Sequence, residues 1–148
     1  MRARSVLLLP ALLIALVIGS LAPGCSSNIQ RRLDDIGALE TLKGLRSAEN
    51  RFKSGGGRWG SMEELIDAGL VDRVLRSGVK DGYEYAVRVS GNSYEIVVKP
   101  VRTDDQTLQY LGNSFYLDES GVIRARPFGR ANNFTGAGKN DVAVTNQQ

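Results

Sequence analysis

Apolar and polar residues follow three different rhythms along this chain, and each rhythm predicts a different element. From Val6 to Leu21 nearly every residue is apolar, with breaks at Pro10 and at Gly19-Ser20. Arg2 and Arg4 precede the run, and small residues follow it. A positive head, an apolar middle and a small-residue end make a secretory signal. The competing reading is a permanent membrane span, which needs about 20 apolar residues. This run is shorter and carries helix weakeners near its end, which favours a signal over residues 1–24.

The second rhythm begins near Gln30 and lasts to Lys53. Ala38, Leu42, Leu45, Glu49 and Phe52 recur at spacings of four and three, with Leu33 and Ile36 earlier, which places most of the apolar residues on one stripe. That period predicts an amphipathic helix whose other face carries Arg31, Arg32, Asp35, Glu40, Lys43, Arg46 and Lys53. A helix of this kind either packs on its own domain's sheet, lies on a membrane or binds a partner. The mixed charges of its polar face favour the first. Ser54-Gly55-Gly56-Gly57 should end it. Gly55, Gly57 and Gly60 formally spell a dinucleotide fingerprint, but that motif opens a helix after a strand, and here it follows a helix. Ser61 with Glu64 three residues later predicts a capping box and a short helix through Leu65 and Ile66 that stops near Gly69. A second short apolar turn follows over Leu70, Val71, Val74 and Leu75.

After Gly82 the period falls to two. Tyr83, Tyr85, Val87 and Val89 alternate with polar neighbours, as do Tyr94, Ile96 and Val98 beyond the Ser90-Gly91-Asn92-Ser93 turn. Two such runs across a Gly-Asn turn predict a hairpin, and Pro100 predicts that the second strand ends nearby or runs along an edge. Arg102 to Asn113 reads as a loop. Ser114–Leu117 and Val122–Arg124 read as a third and a fourth strand around a turn. The predicted fold is α+β: an amphipathic N-terminal helix packed on a small antiparallel β-meander, with a short second helical segment. The expected boundaries are a signal at 1–24, a tether at 25–29, a domain at 30–126 and a flexible, polar tail at 127–148.

Composition narrows the chemistry. The chain of 148 residues has no histidine and one cysteine. That excludes Ser-His-Asp and Cys-His nucleophiles, imidazole zinc sites and an intrachain disulfide. Without Arg2 and Arg4, 17 basic residues face 16 acidic ones, scattered rather than clustered, so no nucleic-acid footprint is expected. The acidic neighbours Asp34-Asp35, Glu63-Glu64, Asp104-Asp105 and Asp118-Glu119 diverge on a helix or a strand and make poor catalytic dyads. Asp104, Asp105 and Asp118 could supply oxygen ligands to calcium if their loop folds back on the last hairpin, although the EF-hand spacing is absent. No catalytic residue, cofactor or small-molecule substrate is inferred.

Two resemblances give these segments a context. Leu21-Ala22-Pro23-Gly24-Cys25-Ser26-Ser27 resembles the lipobox of bacterial lipoproteins, with Ala22 at the place where that family prefers Leu. The resemblance implies cleavage before Cys25, lipidation of Cys25 and attachment to a bacterial membrane. Ser26 after the cysteine slightly favours the periplasmic face of the outer membrane. Several acyl chains anchor stably where one does not.

The second resemblance runs from about residue 38 to residue 126. Leu42–Glu49 leads to Arg58-Trp59-Gly60-Ser61-Met62-Glu63-Glu64-Leu65, then Ala68-Gly69-Leu70-Val71-Asp72 and Ser77–Tyr83, a strand pair, and Ser114-Phe115-Tyr116-Leu117-Asp118-Glu119-Ser120-Gly121-Val122-Ile123-Arg124. This order resembles the globular half of type IV pilin-like proteins and type II secretion pseudopilins. Those proteins keep a long apolar helix that packs the filament core, whereas here the apolar run precedes Cys25. The resemblance therefore implies a lipid-tethered pilin-like head that binds a protein partner in the envelope, as an accessory of a pilus or secretion apparatus. Two alternatives stay open: a true minor pilin or pseudopilin that retains its apolar helix, and an envelope enzyme using an unrecognised carboxylate site.

Overall fold

The computed structural model describes residues 24–101, 111–129 and 135–144, without the side chains of 24–31. The signal at 1–24 therefore lies, up to residue 23, outside the described residues, and so do Asp104 and Asp105. The chain is α+β, with one long helix and a six-stranded antiparallel sheet. Helix α1 spans Gly24–Gly56, and α2 spans Met62–Asp67 ahead of a 3₁₀ turn at Arg73–Ser77. The strands are β1 Val79–Lys80, β2 Tyr83–Ser90, β3 Ser93–Pro100, β4 Gly112–Asp118, β5 Arg124–Phe128 and β6 Val142–Ala143. They lie side by side in chain order, every pair antiparallel.

Helix α1 is longer than the periodicity predicts. Its described part already includes residues 25–29, expected as a tether, which are helical. Ser26, Ser27 and Asn28 are only mildly poor helix formers, and extending an existing helix costs little per residue compared with starting one. Gly57, with φ +70°, ends it by returning its N–H to the Lys53 carbonyl at 2.7 Å. Ala38, Leu42, Leu45 and Ala48 share one buried cluster with Tyr83, Tyr85, Tyr94, Ile96, Val98, Phe115 and Leu117. Leu33 and Ile36 do not join it, since each is 56% exposed. They lie roughly half a turn round the helix from Ala38, Leu42 and Leu45, on the side away from the sheet, whereas Asp35 in the same turn still meets it.

α2 closes as its sequence predicts. The Ser61 hydroxyl accepts the Glu64 N–H, and the Glu64 carboxylate accepts the Ser61 N–H. At the other end Leu70 N–H reaches the Leu65 carbonyl and Gly69 N–H the Ile66 carbonyl, both at 2.9 Å, with Gly69 at φ +69°. This is the Schellman arrangement.

Register sets the two faces of the sheet. Val98 faces Tyr85 and Phe115, and Ile96 faces Val87 and Leu117, so these side chains point toward α1. The alternating residues Glu84, Ala86, Arg88, Glu95, Val97 and Lys99 take the outer face. There Glu84–Lys99 and Arg88–Glu95, each a directly opposed pair, form ion pairs at 3.0 Å.

Two expectations for the C-terminal part are corrected. The fourth strand occupies Arg124–Phe128 rather than Val122–Arg124, because Gly121 and the two residues after it still complete the turn. The described part of the region expected as a tail, 127–148, is largely folded. Residues 135–144 return across the outer face, where Ala137, 5% exposed, donates its N–H to Ser114 Oγ at 2.8 Å. Asp141 Oδ1 accepts both Arg126 Nε (2.9 Å) and Nη2 (2.6 Å), and Val142–Ala143 pairs with Arg124–Ala125. Small residues lie flat on a sheet, and hydrogen bonds replace the apolar contacts that a polar segment lacks.

Asp35 joins helix to sheet. Its Oδ1 accepts the Tyr83 hydroxyl from β2 and the Asn113 N–H (2.9 Å) from β4, and its Oδ2 accepts Asn113 Nδ2 at 2.6 Å. Gly112, at φ +135°, leaves room for this: a Cβ there would stand 2.7 Å from the Tyr83 hydroxyl and 3.1 Å from Asp35 Oδ1. Replacing Asp35 by Ala strands three donors at a mostly buried site. The expected loss is about 2–4 kcal/mol, to be read from urea unfolding, and Gly112→Ala should be destabilising in the same assay.

Candidate functional site

Three carboxylates are buried in the described residues: Asp35, Glu49 and Asp118. Strongly perturbed ionisable groups cluster at functional sites, and the partners of each of these three decide its role. Asp35 is occupied by the three donors that hold α1 to the sheet.

Glu49 stands on the core side of α1 and is fully buried. Its Oε2 accepts the Gly60 N–H at 2.9 Å, while Oε1 has no hydrogen-bond partner. Burial pushes its carboxyl above the usual carboxylate range, the Gly60 N–H opposes that rise, and the charge of Glu64 adds to it. The loop that meets Glu49 is built residue by residue. Trp59 donates Nε1–H to the Asn92 carbonyl in the β2–β3 turn at 2.9 Å and lies 4.5 Å, centroid to centroid, from the Tyr94 ring. Lys53 Nζ covers the indole at 3.9 Å. Gly60 has no side chain because a Cβ would press on Phe52 and Leu65 at 3.0–3.1 Å. Arg58 binds Glu64 with both terminal nitrogens, at 2.5 and 3.1 Å, and holds that carboxyl down to about 2, helped by the Ser61 N–H. The Trp-Gly-Ser-x-x-Glu-Leu segment thus acts as a clasp from α1 to the hairpin. Periodicity already places Glu49 on an apolar stripe. Its partner, a backbone N–H eleven residues on, has no sequence signal.

Asp118 ends β4. Its Oδ1 accepts the Ser120 N–H at 3.0 Å and the Ser120 hydroxyl, and Arg124 Nη1 approaches Oδ2 at 3.9 Å. Burial would raise its pKa, but the Ser120 hydrogen bonds, with the charges of Arg124 and Lys139, outweigh it and leave the carboxyl below its ordinary value. A carboxylate held ionised in this way is a weak base, poorly matched to drawing a proton from the serine beside it. The bonds to Ser120 instead shape the turn from Asp118 to Gly121. Beside it on the outer face lies an open cleft of about 380 Å³, lined by Arg88, Ser90, Ser93, Glu95, Tyr116 and Lys139 among others. Its charges are mixed.

Asp104 and Asp105 lie outside the described residues, and among the described residues no group of three or more His, Cys, Asp or Glu side chains is arranged to hold a metal ion. Cys25 is the second residue of α1, and its thiol lies outside what is described. No helix among the described residues is long and apolar enough to cross a membrane. The chain matches no protein-family model, curated protein or solved structure.

The Glu49 clasp has a testable signature. A carboxyl whose folded pKa exceeds its unfolded value favours folding most below the unfolded value, and that advantage disappears as the pH rises through the folded value. Glu49→Gln imitates the protonated acid at every pH. Its stability relative to wild type should therefore climb between about pH 4 and about pH 8, measured by urea midpoints at both ends. Parallel midpoints for the two proteins across that range would refute the assignment.

Proposed function

We propose that this protein is a lipid-tethered envelope protein whose pilin-like α+β head acts as a non-catalytic interaction module, an accessory of a pilus or secretion apparatus. The observation that carries the reading is the join at Cys25. The lipobox-like Leu21–Ser27 segment overlaps helix α1, which is described from Gly24 and continues unbroken into the core stripe at Ala38. A lipid on Cys25 would therefore be attached to the domain through about two helical turns before Leu33, not through a slack linker. The order of a long helix, a capped aromatic-Gly-Ser turn and an antiparallel meander supports the pilin-like assignment of the head. The part of a pilin that builds filaments is replaced, on this reading, by the acyl tether.

The interaction role is supported by the way the acidic groups are used. Asp35 bridges helix and sheet, Glu64 caps α2 and Asp118 shapes a turn. Each has a structural task, and the outer face presents charge pairs and a mixed-charge cleft suited to contact with another polar protein surface.

Intact-mass measurement of protein extracted from membranes tests the tether. The expected species begins at Cys25 and carries acyl mass, and Cys25→Ser abolishes that mass. A chain still carrying Met1, or a cleaved chain without acyl mass, would sink the reading. The partner is tested by mild cross-linking in intact cells followed by purification. One recurrent envelope protein is expected, and repeated recovery of none would count against an interaction role.

A further inference from the structure

We propose that the outward side of α1 nearest Cys25, carrying Arg32, Leu33 and Ile36, lies on the lipid surface, so that the head is held by a helix laid along the membrane as well as by acyl chains. The inference rests on the proposed lipidation of Cys25.

Leu33 and Ile36 are each 56% exposed, and the other exposed large apolar residues among those described are valines scattered over strands and turns. The pair therefore forms a concentrated patch, and its place on the helix indicates its occupant. It points away from the core side that begins with Asp35 and Ala38. Cys25 precedes Arg32 by seven residues and Ile36 by eleven, spacings that recur on one helical face. Farther along the same outward side come Glu40, Lys43, Ser47 and Arg51, all exposed and all polar. Apolar exposure is thus confined to the end nearest the anchor. It fades with distance from Cys25, which suits a helix that enters the interface at one end and leaves it at the other.

Charge agrees with this placement. Arg32 is exposed beside the patch and Arg31 precedes it, whereas the Asp35 carboxylate is turned inward to Tyr83 and Asn113. Cations beside an apolar strip favour a surface with anionic headgroups. Length decides the orientation. Eleven residues of helix advance about 16 Å, so an upright helix would lift Ile36 clear of a headgroup layer whose base holds Cys25. Both ends touch lipid only if these turns lie nearly along the surface. The sheet, on the opposite side of α1, then faces away from the membrane.

The test uses the full chain, processed in cells and reconstituted into vesicles of phosphatidylethanolamine and phosphatidylglycerol. A nitroxide is attached at Ile36→Cys or, for comparison, at Arg51→Cys; the Cys25 sulfur is occupied by lipid and does not react. The label at position 36 should be several-fold less accessible to an aqueous nickel relaxant, and more accessible to oxygen, than the label at position 51. Equal accessibility at both positions, with acyl mass present, would overturn the inference and leave the tether standing. Spin–spin broadening at position 36 would show a second copy on the patch in place of lipid and would also overturn it. Absence of acyl mass in the same sample would remove the tether and, with it, this inference.

Discussion

Asp35 sits where α1 first meets the sheet, and the placement of every later helical residue depends on it. One carboxylate there receives a hydroxyl from β2 and two N–H donors from β4, so the helix is fixed against two strands at once. From that point Ala38, Leu42, Leu45 and Ala48 fall at three- and four-residue steps onto the apolar side of the sheet. The absence of a side chain at Gly112 is part of the same arrangement. A second carboxylate, Glu49, receives the chain as it leaves the helix. Between these two acids lies the length of α1 that buries apolar surface.

Sequence periodicity conveys what is local. The helix period, the hairpin alternation and the Ser61–Glu64 box each depend on residues within a few positions of one another, and all three are realised. It fails where a distant partner decides. Asp35 reads as polar-face surface because Tyr83 and Asn113 lie 48 and 78 positions away. Residues 135–144 read as a tail because they offer few apolar side chains. They are held instead by backbone N–H groups, Ser114 and the Arg126–Asp141 pair. Glu49 falls between these cases: an acid on an apolar stripe is visible in the sequence, although the bond that justifies it is not.

The polar chemistry of the described residues is directed inward or into turns, and the surface carries balanced pairs. Arg88–Glu95 and Glu84–Lys99 neutralise each other on the outer face. Such exposed pairs contribute little to stability, but they make a hydrophilic wall that discourages nonspecific sticking. Among the described residues, the one concentrated apolar exposure lies on α1 beside the proposed anchor. The two proposed contacts would then be separate: lipid on one side of the helix, and a protein partner on the far side of the sheet.

The strands follow one another across the sheet in the order of the chain, and this has a kinetic consequence. Pairing neighbours requires only short loops to close, which is the favourable case for rapid folding. The link from Asp35 to Asn113, by contrast, spans 78 residues and must wait until β4 exists. The meander is therefore the part of the molecule able to form early, and docking of the helix end is a late event. In a chain that crosses a membrane with its N-terminal end leading, the segment that emerges first would be the last to find its place.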